Sequence, residues 1–465
     1  MTPPADGSRI APVLTIADLA ACFEGAVPAV IATASADGTP NVTYLSRVHA
    51  VDAERVALSN QFFSKTVANL AENPRASVLI IDPATYDQYR LTLVYERTER
   101  RGPVFERLRA DVDMLAALEG MQDVFKLRAA DIYRVLHIEQ TPNARRRQQG
   151  PVLSATSAGP PPQSLAELST RLARAADLDV LVAAAVRGLV DLFGYESATL
   201  LLLDEAGQQL FTIASHGYPD EGVGSEVALG DGVIGLAAER CRPVRVGNLR
   251  QLRKYSRTVR RSFDAQQAEG PGPDIPVPDL PDVQSQIAVP ALALGQLLGV
   301  LAVESTQPVA FSEADEAALQ VVATVLAGAI EAARSQERLA APQPPAAPAP
   351  EPAAAAAPTA GTRVRFYDVD GSTFIDGDYL IKGVAGRILW ALLGHHAREG
   401  RVEFSNREMR LDPSLELPAF RDNFESRLIL LKRRLDEREA PVRIEKSGRG
   451  CFRLVVLGPV VLERG

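Results

Sequence analysis

Cysteine is nearly absent: Cys22, Cys241 and Cys451 are the only three, one in each third of the chain. No pair has zinc or redox spacing, so neither a disulfide framework nor a cysteine-built metal site is expected. The five histidines are scattered, and the adjacent His395 and His396 have no cysteine nearby, so no structural metal is expected. No run of roughly 18 strongly apolar residues appears, so no membrane span is expected. The opening MTPPADGSRIAP lacks the basic-then-apolar pattern of a secretion signal, which makes the cytoplasm the expected location.

What is present is ample apolar material, 46% of 465 residues, enough for about three cores of ordinary size. The net charge of −8 is unevenly spread. From Thr362 onward 19 Lys and Arg face 16 Asp and Glu, a net +3, which leaves the remainder at −11. An acidic body with a mildly basic tail suits a polyanion-binding module on a carrier. Two stretches poor in large apolar residues divide the chain, QTPNARRRQQGPVLSATSAGPPPQ and LAAPQPPAAPAPEPAAAAAPTAG. Neither can bury enough area to offset its backbone entropy. The expected plan is therefore residues 10–139, a linker at 140–163, residues 164–335, an Ala/Pro linker at 336–362, and residues 363–458.

In the first block the pattern runs strand, turn, strand, strand, helix, strand. Pro28 to Ala34 is β-rich, Ala36-Asp37-Gly38-Thr39 is a turn, and Asn41 to Val51 continues as strand. Val56 to Asn60 is another strand, Lys65 to Glu72 a helix, and Ala76 to Ile81 a buried strand. The segments VIATASADGTPNVTYLSRVHAV and VALSNQFFSKTVANLAENPRASVLI, with ADIYRVLHIE, resemble the pyridoxamine-phosphate-oxidase-like FMN-binding split barrel. That resemblance implies a flavin phosphate at the helix start, held by Ser64, Lys65 and Thr66 with Asn69 on the next turn. It places the isoalloxazine along Thr43, Tyr44, Leu45 and Ser46. Hydroxyls, an ammonium and free helix-start amides do make an anion site; a helix N-cap is the plainer use of Ser64 and Thr66. Family members also take haem or deazaflavin, for which His49 or His137 is a candidate ligand. The arginine-rich strand of the oxidase enzymes is missing here.

In the second block Ser164 to Phe193 has helical leucine spacing, Thr199 to Leu203 and Leu210 to Ser215 are strands, and Gln286 to Ala293 and Leu298 to Ser305 are paired strands. A long helix follows from about Ser312 to Ala333. The stretches SATLLLLDEAGQQLFTIASHGYP, LGDGVIGLAAERCRPVRVGNL and SQIAVPALALGQLLGVLAVES resemble the GAF domain, a small-molecule sensor. Phe311, Asp315 and Glu316 fit the second half of the element found in cyclic-nucleotide-binding members, but the Asn-Lys pair before it is absent. Between Arg245 and Asp282 lies a basic run followed by a Pro/Gly loop. It reads as a lid whose Arg253, Lys254, Arg257 and Arg260 attract an anionic ligand, or as a solvated insertion. Both resemblances imply a homodimer.

In the third block VRFYDV and STFID are short strands, and Ala385 to Ala397 is apolar at helical spacing around the single Trp390. A short helix spans about Asn406 to Leu411. Phe420, Phe424, Leu428, Leu431 and Leu435 form the stripe of a buried helix, and Val442 to Ile444 and Phe452 to Val456 flank a Gly-rich turn. The run LILLKRRLDEREAPVRIEKSGRGCFRLVV resembles the response-regulator C-terminal winged helix (the OmpR type), which implies duplex DNA as partner. With the stripe inward, Arg421, Asn423, Arg427 and Arg434 are expected on other faces, where Arg and Asn suit guanine and adenine edges. Lys432, Arg433, Lys446 and Arg449 are candidate phosphate contacts. Leu430 departs from the basic residue common at its position.

The whole is expected to be multidomain: a β-rich split barrel, an α/β sensor and an α+β winged helix. It reads as a ligand- or redox-responsive transcription regulator binding DNA. The alternative is an FMN-dependent oxidoreductase with accessory regulatory domains, although no acid/base cluster can be named for it.

Overall fold

A hairpin pinned at its turn opens the sheet of the first unit. Asp37 accepts from the Ser35 hydroxyl and the Thr39 amide, and Gly38 takes a φ of +83°, so the chain reverses between β1 (Ala29–Ala34) and β2 (Pro40–Leu45). The structure is a computed structural model. It describes residues 14–24, 27–61, 64–82, 85–118, 126–141, 159–204, 206–247, 249, 275, 277–278, 280–339, 361–415, 417, 424–448 and 450–465.

Before the hairpin lies α1 (Ala20–Glu24). After it come β3 (Val48–Ala50), β4 (Arg55–Asn60), α2 (Lys65–Glu72), β5 (Arg75–Ile81), β6 (Gln88–Glu99), α3 (Pro103–Leu118) and β7 (Ala129–Thr141). The seven strands form one antiparallel sheet in the order β2-β1-β5-β6-β7-β4-β3. The expected single strand from Asn41 to Val51 is thus two strands on opposite edges of that sheet. Only Ser46 and Arg47 join them, so the sheet must curl until its edges nearly meet. Alternation along β1 and β5 sends Ile31, Val78 and Ile80 into the enclosed core. Helix α3 covers the outer face of β4, with Phe105 and Leu108 against Ala57.

The second unit is an antiparallel sheet sandwiched between helices. Its elements are α4 (Pro162–Ala173), α5 (Leu178–Asp191), β8 (Ser197–Leu203), β9 (Gln209–His216), β10 (Glu226–Ala228), α6 (Gly232–Arg240), β11 (Val244–Val246), β12 (Ser285–Ala293), β13 (Gln296–Ser305) and α7 (Glu313–Leu339). Strand order is β10-β9-β8-β13-β12-β11. Leu200 and Leu202 point to α4, α5 and α7, whereas Leu201 points to α6, so β8 is buried on both faces. The one helix expected over 164–193 is two, because Asp177 caps a new start by accepting from Val180 N–H at 2.9 Å. By length and composition Glu313–Ser335 is apolar enough to cross a membrane. Its stripe of Leu319, Val322, Leu326 and Ile330 is packed in the core of this unit. Met114 and Leu115 of α3 join the α6 side, which ties the barrel to this unit.

The third unit starts with β14 (Thr362–Phe366), β15 (Thr373–Ile375) and β16 (Asp378–Ile381). It continues with α8 (Gly383–Glu399), β17 (Glu403–Ser405), α9 (Asn406–Arg410), α10 (Phe424–Glu437), β18 (Val442–Gly448), β19 (Cys451–Val456) and β20 (Val460–Arg464). One sheet is β16-β15-β14-β20 and the other β17-β19-β18. Strand β20 pairs parallel to β14, so the unit runs past the expected boundary at residue 458. Trp390 of α8 stacks on Phe366 with centroids 5.1 Å apart. Gly386 lets α8 approach the β14–β15 turn, since a Cβ there would lie 2.0 Å from the Gly371 carbonyl oxygen.

Candidate functional site

Helix α10 has two buried faces. Phe424, Leu428, Leu431 and Leu435 make the expected inward stripe, yet Ile429 and Leu430 are also buried, 7% and 2% exposed. Their side packs against α5 and β9 of the middle unit, with Leu430 close to Gly224.

Among the described residues of this surface, Arg427, Lys432, Arg433 and Lys446 are each engaged. The Arg427 guanidinium carbon lies 3.8 Å from the Phe211 ring centroid, a cation–π contact on β9. Lys432 Nζ donates to Asp179 Oδ2 at 2.9 Å. Arg433 donates to Asp179 Oδ1 from Nε and Nη2 at 3.1 and 2.7 Å, and from Nη1 to the Ile213 carbonyl at 3.1 Å. Lys446 of β18 pairs with Asp177, and Lys382 pairs with Glu226 at 3.0 Å. Asp177 and Asp179 stand at the start of α5, where the helix dipole favours acids. Burial works against ionising either carboxylate. For Asp177 the bonds from Lys446 and the Val180 amide outweigh burial, and for Asp179 the charges of Arg433 and Lys432 do, so both stay below the usual carboxylate range. The seam is not fully packed: a cavity of about 280 Å³ remains, lined in part by Asp177, Val180, Leu428, Ile429, Ile444 and Phe452.

Arg427 and Arg434, expected on faces other than the stripe, are buried there, 8% and 4% exposed. Arg427 faces the middle unit, whereas Arg434 turns into its own unit. There its Nε donates to the Leu380 carbonyl at 3.0 Å and its Nη1 to Glu437 at 2.6 Å. Arg434 is therefore a structural residue. Arg434→Met should lower the stability of this unit by about 1–3 kcal/mol, because it orphans a buried carbonyl and Glu437. Urea unfolding followed by Trp390 fluorescence measures this, and an unchanged midpoint refutes the assignment. Arg421, Asn423 and Arg449 lie outside the described residues, as do Arg253, Lys254, Arg257 and Arg260 of the expected lid.

At the barrel the expected flavin set splits in two. Ser64 and Lys65 are exposed at the start of α2. Thr66 and Asn69 are buried and satisfied within the barrel: Asn41 Nδ2 donates to Thr66 Oγ1 at 3.0 Å, and Asn69 Nδ2 to Thr33 Oγ1 at 3.1 Å. These bonds dock α2 on β1 and β2. Leu45 is core, and Ser46 donates to Gln61 Oε1 at 2.6 Å. Gln61 Nε2 is buried without a hydrogen-bond partner among the described residues. Alternation on β2 puts Thr43, half-buried, on the side of Asn41 and α2, and sends Val42 and Tyr44 outward at 64% and 66% exposure. The residues present fit a flavin phosphate through Ser64, Lys65 and the helix-start amides, with fewer donors than expected. Of the two histidines, His137 is exposed on β7. His49 is half-buried in a cleft of about 580 Å³ between the barrel and the middle unit, among Arg47, Arg107, Arg242 and Arg245.

The Phe-x3-Asp-Glu element is consumed by structure. Tyr195 donates its hydroxyl to Asp315 Oδ1 at 2.9 Å, and Ser312 donates its amide and hydroxyl to Oδ2 at 2.8 and 2.7 Å. Glu316 pairs with Arg245 at 3.1 Å. The sequence reading missed Asp177, Asp179 and Phe211. The run Leu428-Ile429-Leu430-Leu431 was the available signal, because four consecutive apolar residues surround a helix and demand a second neighbour.

Residues 16–136 match the family model of pyridoxamine 5'-phosphate oxidase, and residues 175–331 match that of the GAF domain. Among solved structures, the GAF domain of an Acinetobacter phosphoenolpyruvate-protein phosphotransferase is 25% identical. That match covers 37% of this chain and 93% of that one, with a TM-score of 0.31. An FMN-binding protein of Syntrophomonas wolfei is 15% identical over 27% of this chain and 84% of that one, TM-score 0.23. A free methionine-R-sulfoxide reductase of Neisseria meningitidis is 22% identical over 37% and 89%, TM-score 0.30. A stretch of 50 residues is 42% identical to an uncharacterized protein of Methanocaldococcus jannaschii, 10% of this chain and 34% of that protein. The chain thus spans about a third of that relative's length.

Proposed function

We propose that this chain, a pyridoxamine-phosphate-oxidase-like split barrel followed by a GAF domain, is a ligand-responsive regulator that binds duplex DNA through its third unit. In this reading the third unit is a winged helix, α10 enters the major groove, and the β18–β19 hairpin is the wing. The observation that carries it is the gathering of Arg427, Lys432, Arg433 and Lys446 on one surface built from α10 and that hairpin. A helix and a hairpin presenting cations side by side suit the charge spacing of a duplex backbone. The test is fluorescence anisotropy of the full chain, and of its Asp177→Asn/Asp179→Asn variant, with a labelled mixed-sequence duplex. Binding that weakens steeply with salt is expected. Salt-independent signal, or none from either chain, sinks the reading.

The barrel is assigned the cofactor. When bound, FMN would supply the redox chemistry that the domain responds to, with its phosphate at Ser64 and Lys65. Lys65→Ala should weaken FMN binding about tenfold, the loss of one charge-assisted contact, while Thr66→Val should act on barrel stability and spare affinity. Titration by flavin fluorescence quenching and thermal melts separates the two. Equal affinity in the Lys65 variant and the parent rejects that site. The outward Val42 and Tyr44 support pairing with a second copy, and the cytoplasm is the location that goes with chromosomal DNA.

A further inference from the structure

We infer that the described arrangement is an autoinhibited one, in which Asp177, Asp179 and Phe211 of the middle unit occupy the DNA-facing surface of the third unit. The inference rests on the reading of that unit as DNA-binding and adds its regulation. The two carboxylates take the positions that backbone phosphates would take: Asp179 clasps Lys432 and Arg433, and Asp177 clasps Lys446. The Phe211 ring lies over Arg427 where a base edge would be read. A duplex and the α5–β9 surface cannot occupy α10 together, so the two compete for the same side chains.

Two features make the contact separable. Its ion pairs are partly open to solvent, with side-chain exposures of 32% for Asp179 and 35% for Lys432, so each is individually weak. The seam retains the cavity beside Leu428 and Ile429. Coupling to a ligand would run through α5, which carries the clasping acids at its start and packs Val182, Val186 and Leu189 into the core of the middle unit. Any ligand that shifts α5 favours one side of the equilibrium by its differential affinity for the two states.

The experiment compares the full chain with its Asp177→Asn/Asp179→Asn and Asp179→Arg variants. Hydrogen exchange over Gln209–His216 and Phe424–Glu437 reads the contact, and anisotropy with the mixed-sequence duplex reads binding. Faster exchange together with at least tenfold tighter binding is the expected result. An opened contact with unchanged or weaker binding, in a parent that does bind, overturns autoinhibition and leaves DNA binding standing. Opened contact with no binding by any chain removes DNA binding, and this inference with it. Unchanged exchange in the charge-reversed variant shows that these acids do not hold the contact, which also overturns the inference.

Discussion

In a chain carrying Asp177→Asn and Asp179→Asn, replacing Lys432 and Arg433 by alanine should weaken duplex binding about tenfold or more near 50 mM salt and cut the salt slope by about two, since each phosphate contact contributes about 0.9 to that slope. The same double replacement in the native background should do much less. On the proposed reading the two cations would serve both bound forms, gripping DNA in the open arrangement and Asp179 in the closed one. Removing them weakens both, and the effects oppose each other in the observed affinity. The pair of acids and the pair of cations should therefore be strongly non-additive, as groups in one network are. Equal losses in the two backgrounds would mean that the cations touch DNA without ever being sequestered. The change should also be independent of DNA sequence, because phosphate contacts position without reading.

The barrel and the sensor sheet were legible because their information is local. Period-two burial on β1 and β5 and the turn at Asp37-Gly38 follow from side-chain alternation and turn chemistry. Helix α2 begins and ends where its composition says, at Lys65 and Glu72. Elements whose formation depends on a distant partner were not legible. Strand β20 is short and follows Gly458-Pro459, and it is a strand only because β14 lies beside it. Strand β17 has three residues and exists through β19. The long-range contacts of the site residues were hidden for the same reason. Thr66 and Asn69 suit a phosphate motif and a helix-docking role equally well in sequence, and their bonds with Asn41 and Thr33, 25 and 36 residues away, are visible only in the fold. Leu430, which departs from the basic residue of the resembled family, becomes intelligible once it is seen 2% exposed at the seam. Its side chain contributes apolar packing between the units.

Asp315→Ala should destabilise the sensing unit by about 3 kcal/mol, the cost of stripping a buried carboxylate network rather than a surface charge. Asp315 is 1% exposed and accepts three hydrogen bonds, two from Ser312 and one from Tyr195. Its own amide donates back to the Ser312 hydroxyl at 3.3 Å, so the pair closes the start of α7 as a reciprocal cap. The Tyr195 ring is held edge-on between Phe193 and Phe311, with centroids 5.7 and 5.5 Å away, so its hydroxyl cannot swing to another acceptor. Burial, with the Asp315 charge beside it, drives the Tyr195 pKa above its ordinary value and keeps that hydroxyl a donor. Tyr195→Phe should cost less than Asp315→Ala, since it removes one of the three bonds and leaves the cap. Combining the two should cost little more than Asp315→Ala alone, because the tyrosine hydroxyl then has no partner left to lose. Hydrogen exchange across α5 and β8 measures all three, in the unit that lacks the tryptophan. A ligand-binding acid of the cyclic-nucleotide kind would behave in the opposite way, with its removal sparing stability and abolishing a ligand response. Stability unchanged in Asp315→Ala would return Phe311, Asp315 and Glu316 to the ligand site, and a loss of the expected size keeps them in the scaffold.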